Sequence, residues 1–192
     1  MTAAPAARAS GVHAGSAVTA ALFAIYVGLL TWLIVFKLQV PYLGPDSARG
    51  IKLVPFVAGD GAGASATWEV LANLVVFVPF GVYLALLVPA WSWWRAAGAT
   101  AGASLAFEAA QFVLATGKTD VTDILMNTAG GLLGFGLAMA ARRTFRSRAA
   151  AVLTGVATMG IVLGLLACAT YVLGPPGGAG VPRDPGVVGI RP

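Results

Sequence analysis

Cysteine, histidine and charge are all scarce in this chain. Its 192 residues hold one cysteine and one histidine. Cys168 has no partner for an intrachain disulfide, and a single cysteine builds no zinc site. It sits in an apolar run and reads as a small buried hydrophobe. His13 lies in the N-terminal stretch, which argues against a serine–histidine or cysteine–histidine triad at membrane depth. Only 10% of the residues are charged, where a soluble domain has about 25%. No interleaving of aromatic and basic residues marks a nucleic-acid face. What the chain has instead is apolar surface. Its hydrophobic fraction is 58% and its mean hydropathy is +0.86, so the leading class is a polytopic membrane protein. The net charge of +5 then marks cytoplasmic loops rather than a nucleic-acid partner.

Taken in order, residues 1–15 are small and alanine-rich and read as a flexible tail. Residues 16–36 form an apolar run of about 20 residues, enough to cross a hydrocarbon core roughly 30 Å thick. The run is longer than a signal-peptide core, and no small-x-small cleavage site follows Lys37, so it reads as a retained helix. A polar loop over 37–67 is broken by Pro41, Pro45, Gly50, Pro55 and the glycines of 59–63. Within it KLVPF (52–56) is too short to span; it lies at the interface or folds back toward the helices. Thr67 can cap the second helix (68–88), and Glu69 suits its first turn. Pro79 is expected to kink that helix. Pro89 and the tryptophans Trp91, Trp93 and Trp94 mark a membrane–water boundary, followed by Arg95.

A third helix (96–115) carries Gly98 and Gly102 at a spacing suited to close helix packing, and Gly130 and Gly134 repeat it in the fourth (120–141). RRTFRSR (142–148) places four arginines beside a fifth helix (149–173). The Pro/Gly-rich residues 174–192 read as a flexible tail. The arginine cluster puts its loop, Arg95 and the N-terminus on the cytoplasmic side, and the C-terminus outside. Lys37, Arg49, Lys52 and Lys118 fall on the other side of this scheme, with Asp46 and Asp60.

Residues 104–134 hold polar groups that membrane depth makes costly. At about 1.5 Å per residue, Gln111 lies about 6 Å and Glu108 about 10 Å from the outer end of helix three. Asp123 and Asn127 lie about 5 and 10 Å into helix four, and Asn73 about 8 Å into helix two. Glu108 and Gln111 share a face at i, i+3, and so do Asp120 and Asp123; Asp123 and Asn127 share one at i, i+4. One outward-open polar pocket would satisfy them all. Residue by residue there are plainer readings. Asp120 and Asp123 serve as a cap and a dipole partner; Asn73, Gln111 and Asn127 serve as interhelical hydrogen-bond glue. Glu108 has no capping role at its depth. It either pairs with Lys118 or another cation, or stays protonated and donates to Gln111 or Asn127. Two carboxylates can also do acid–base work or hold a hard cation.

These residues resemble a VanZ-like domain. KLVPF (52–56) is similar to that family's N-L-x-P-F element, and NLVVFVPFG (73–81) to its N-x-x-x-F-x-P-F-G. Glu108 and Gln111 supply E-x-x-Q, and TDVTDILMNTAGGLLG (119–134) matches D-x-x-D-x-x-x-N-x-x-G-x-x-x-G. Together they cover roughly 19–141. The order of the motifs makes the match specific. Lys118 stands where the family commonly has arginine, and Lys52 where the first asparagine is expected. A lysine keeps the charge but lacks the planar fork that grips an anion bidentately. The resemblance implies a small protein of the bacterial cell envelope, in a family linked to glycopeptide resistance and notably to teicoplanin, a lipid-bearing antibiotic.

The expectation is therefore an all-α polytopic membrane helix bundle of about five transmembrane helices in the bacterial plasma membrane. It has a four-helix domain over 16–141 and a basic loop with a fifth helix over 142–173. Its pocket of Asn73, Glu108, Gln111, Lys118, Asp120, Asp123 and Asn127 binds an amphiphile, an envelope lipid or lipoglycopeptide, without a cofactor or metal. Membrane lipids, and further copies through helix faces, are the expected partners. The rivals are an enzyme acting on a lipid-linked phosphate or acyl substrate, with Glu108 and Asp123 as its acid–base or metal-holding groups, and a structural scaffold built on the glycine-rich faces.

Overall fold

The computed structural model describes residues 4–36, 43–44, 50–56 and 67–173. Five helices make up almost all of it: α1 (Ala4–Phe36), α2 (Thr67–Leu87), α3 (Trp93–Leu114), α4 (Val121–Phe145) and α5 (Ala149–Leu173). Two short strands, β1 (Ile51–Lys52) and β2 (Thr119–Asp120), pair in parallel. A 3-10 turn, Arg146–Arg148, joins α4 to α5. The chain is all-α, as expected, and this short strand pairing is an addition. Among the described residues, three segments are long and apolar enough to cross a membrane: Ala17–Phe36, Glu69–Leu87 and Val121–Phe145. The backbone of α1 is already helical from Ala4, where a tail was expected up to residue 15. The loop features at Lys37, Pro41, Pro45, Asp46, Arg49, Asp60 and the glycines of 59–63 lie outside the described residues. So do the tail from 174 onward, the cap at Thr67, and the side chains of His13 and Cys168.

The pairing of α2 with α4 is the backbone of the bundle. The two helices run parallel: the carbonyl of Leu74 faces Gly130, and that of Val78 faces Gly134. A Cβ on Gly130 or Gly134 would lie 2.0 or 1.9 Å from those oxygens. Only bare Cα atoms permit that approach, and close backbone contact is the main source of helix association where no water drives it. The spacing of these two glycines therefore had the meaning expected of it. Gly98 and Gly102 of α3 do not. A Cβ at either would meet nothing within 4 Å, so both face outward. α3 instead turns Ala96, Thr100, Ser104 and Glu108 inward, every fourth residue, against α4. The two helices run antiparallel, with Trp93 against Phe135 and Ser104 against Asn127.

Aromatic rings from α1 and α2 fill the middle of the bundle. Phe23, Tyr26, Phe80 and Tyr83 pack with ring centroids 5.3 to 6.3 Å apart. α2 stays one helix through Pro79. The Tyr26 hydroxyl reaches into that stretch, donating to the carbonyl of Val76 and meeting the backbone N–H of Phe80. A side chain set into the helical ladder beside a proline satisfies groups that the proline loosens.

These directions give the bundle two ends. At one, α1 and α3 finish while α2 and α4 begin. At the other stand the arginines of 142–148 and the 88–95 connection.

Candidate functional site

The polar residues gather at the first end, and a returning segment draws them together. KLVPF folds back onto the helices, the second of its two expected placements. β1 lies beside β2 with Lys52 opposite Asp120, and the N–H of Thr119 donates to the carbonyl of Gly50 at 2.8 Å. Phe56 donates its backbone N–H to Thr122 Oγ1 at 3.1 Å. This register places the Lys52 ammonium 2.9 Å from Asp120 Oδ2. Both residues are buried, at 7% and 9% exposure.

Asp120 is the hub. Its Oδ2 accepts from Lys52 while its Oδ1 caps α4 by accepting from the Thr122 N–H at 2.8 Å. Its own N–H donates to Glu108 Oε2 at 3.0 Å. The capping reading of Asp120 thus holds, together with an ion pair it did not include. Glu108, only 2% exposed, does not take either partnership expected of it. Its observed donor is the backbone of Asp120, because the tight α3–β2 connection carries that amide over the end of α3.

The remaining residues join neighbouring helices. Asn73 Nδ2 donates to Asp123 Oδ1, linking α2 to α4. Asn127 Nδ2 donates to Ser104 Oγ at 2.8 Å, linking α4 to α3. Gln111 Nε2 donates to the carbonyl of Ile34 at 2.9 Å, linking α3 to α1. The carbonyl oxygen of Asn127 is buried and has no hydrogen-bond partner among the described residues. Lys118 is exposed, with its aliphatic stem against Gly50. Glu108, Asp120, Asp123, Asn127, Asn73 and Gln111 thus fall in one layer, and Lys118 marks its rim.

Sequence reasoning missed Lys52, Ser104 and Thr122. Ser104 had a signal, lying one turn from Glu108 on the same face. Lys52 had a weaker one, as a lone charge inside an apolar pentapeptide. Among the described residues, no group of three or more His, Cys, Asp or Glu is placed to hold a metal ion.

An apolar helix bundle with one buried, ion-paired polar layer at one end defines an α-helical membrane protein. The profile of the VanZ/LLP1 family matches residues 23–143. The chain is also 34% identical over 125 residues to Protein VanZ of Enterococcus faecium, an alignment covering 64% of this chain and 74% of that one. The chain belongs to the VanZ/LLP1 family. No solved structure is a significant match.

Proposed function

We propose that the chain is a multi-pass protein of the bacterial plasma membrane that binds an amphiphile at its polar layer. The ligand class is an envelope lipid or a lipoglycopeptide such as teicoplanin, and the action is binding without covalent chemistry. One observation carries this reading. The segment that supplies Lys52 to the polar layer exposes Leu53, Val54 and Phe56 beside it, each more than half exposed. An amphiphile needs polar partners for its headgroup and apolar surface for its chain, and this segment offers both. Phe56 is held at φ 63°, a backbone region that side chains rarely adopt. Such strain persists where the surroundings enforce it, often at a binding element. In the layer, Asn127 Oδ1 is a buried acceptor able to take a headgroup donor. The arginine end faces the cytoplasm in this reading, with the N-terminus beside it, and the polar layer faces outside with the C-terminus.

The test is photo-crosslinking of purified protein with a lipid probe and with a lipoglycopeptide probe. Asp123→Asn and Asn127→Ala should each cut labelling by roughly tenfold, the equivalent of one lost hydrogen bond to the ligand. Wild-type labelling that neither substitution changes, in variants shown to be folded, would sink the reading.

A second reading is favoured by one feature of α3. Gly98 and Gly102 present an outward small-residue face, the spacing by which membrane helices dock on another copy or a partner. Leucine at both positions should then shift the protein toward monomer in detergent. An unchanged oligomeric state would remove this scaffold role.

A further inference from the structure

We propose that the arginine end is a docking surface for anionic phospholipid headgroups, which bind there in preference to zwitterionic ones. This is separate from the amphiphile reading, which concerns the opposite end. It also goes beyond orientation, because it assigns a lipid class to the surface.

The surface is built by one tight turn. Arg142 and Arg143 close the last turn of α4, and Arg146 breaks the helix at φ 46°. Three residues later α5 begins. Arg143, Arg146 and Arg148 are exposed and Arg142 is half-buried. Every described carboxylate, of Glu69, Glu108, Asp120 and Asp123, lies in or beside the polar layer at the other end. The arginines of the turn consequently have no ion-pair partner among the described residues. A guanidinium grips a phosphate oxygen pair with two parallel N–H donors, which an ammonium cannot do.

Depth supports the same partner. Phe145, Trp93 and Trp94 are large exposed apolar residues at this end, at 49%, 53% and 87% exposure. Trp93 packs on Phe135 and next to Gly136, so the tryptophans stand about two turns on the bundle side of the arginines. Tryptophan sits at the headgroup level of a bilayer. Arginines one or two turns beyond it meet the phosphates and the water above them. Four clustered basic residues next to a spanning helix are the pattern that anionic lipid recognises.

The experiment reconstitutes the full chain into nanodiscs of phosphatidylcholine with a minor fraction of phosphatidylglycerol, and counts retained lipid by native mass spectrometry. Both leaflets have one composition, so insertion direction does not enter. Retained phosphatidylglycerol should be enriched over its bulk fraction. Each arginine replaced among Arg142→Gln, Arg143→Gln, Arg146→Gln and Arg148→Gln should lower the enrichment by up to about fivefold. The enrichment of the wild type should also fall when salt is raised from about 0.1 M to 1 M, as the Debye length shrinks from about 10 to 3 Å. That arm needs no variant to fold. Retained lipid that mirrors the bulk, enrichment unmoved by salt, or enrichment intact in a folded fourfold variant overturns the proposal.

Discussion

A lysine ammonium withdrawn from water costs several kcal/mol unless a counter-charge meets it in good geometry. Lys52 meets Asp120 at 2.9 Å, while Asp120 Oδ1 accepts from the Thr122 N–H and the Asp120 N–H donates to Glu108 Oε2. Replacing Lys52 alone removes from a buried carboxylate the ammonium that meets it at 2.9 Å. Lys52→Met should destabilise the bundle by about 3–5 kcal/mol. Adding Asp120→Asn should recover much of that, since asparagine keeps the cap without the charge. Lys118→Ala, at an exposed position, should change stability by no more than about 0.5 kcal/mol. Unfolding of the three proteins in bicelles checks this, and equal losses at Lys52 and Lys118 would contradict the buried pair. The contrast shows what the sequence could carry at this scale. Glu108, Asp123 and Asn127 were legible because a polar side chain in an apolar helix has few reasons to be there. Lys52 was not, because its partner is 68 positions away and only the strand register brings the two together. Lys118, a neighbour of Asp120 in sequence, looked the better cation and is the exposed one.

Among the helices, number and approximate span followed from the apolar runs, but inward faces did not. α5, and α2 beyond Asn73, are apolar all round, and such stretches carry no stripe by which to choose a side. Small residues were the remaining cue, and they divide. Gly130 and Gly134 face a carbonyl row of α2, whereas Gly98 and Gly102 face outward. The inward stripe of α3 is its polar one, from Thr100 through Ser104 to Glu108. Alanine substitution separates the two pairs. Gly130→Ala and Gly134→Ala must push α2 off α4 and should cost about 1–3 kcal/mol each. Gly98→Ala and Gly102→Ala should cost nothing, since alanine is the better helix former by about 1 kcal/mol. Thermal unfolding of the four variants decides it; a loss at Gly98 matching that at Gly130 would contradict the packing. The proline in α2 gives a related test. Tyr26→Phe removes the hydroxyl that serves Val76 and Phe80, and should cost about 1–3 kcal/mol while leaving the rings packed.

Across the described residues, the carboxylates and the arginine cluster stand at opposite ends of the bundle. All described carboxylates lie toward one end, where Lys52 is neutralised by its ion pair. Arg142, Arg143, Arg146 and Arg148 stand at the other, with Arg95 on the same side of the bundle. In the sequence Lys52 counted against placing the first end outside, because the positive-inside rule counts basic residues in short loops near the helix ends. Burial against Asp120 removes that objection for Lys52; exposed Lys118 still counts against the placement, and the arginine turn keeps its full weight. The predicted orientation follows from this separation, and cysteine accessibility tests it. On a Cys168→Ser background, Leu53→Cys should react with an impermeant maleimide added to intact cells, because Leu53 is 71% exposed beside the polar layer. Trp94→Cys, at 87% exposure by the arginine turn, should react only after the membrane is opened. Labelling of Trp94→Cys in intact cells, with Leu53→Cys silent, would invert the bundle and place the polar layer where no extracellular amphiphile could reach it. Labelling at both positions would mean that the insertion is mixed and that the arginine turn does not set it. The amphiphile reading needs the first pattern, because its headgroup has to approach Asp123 and Asn127 from the side on which Leu53 reacts.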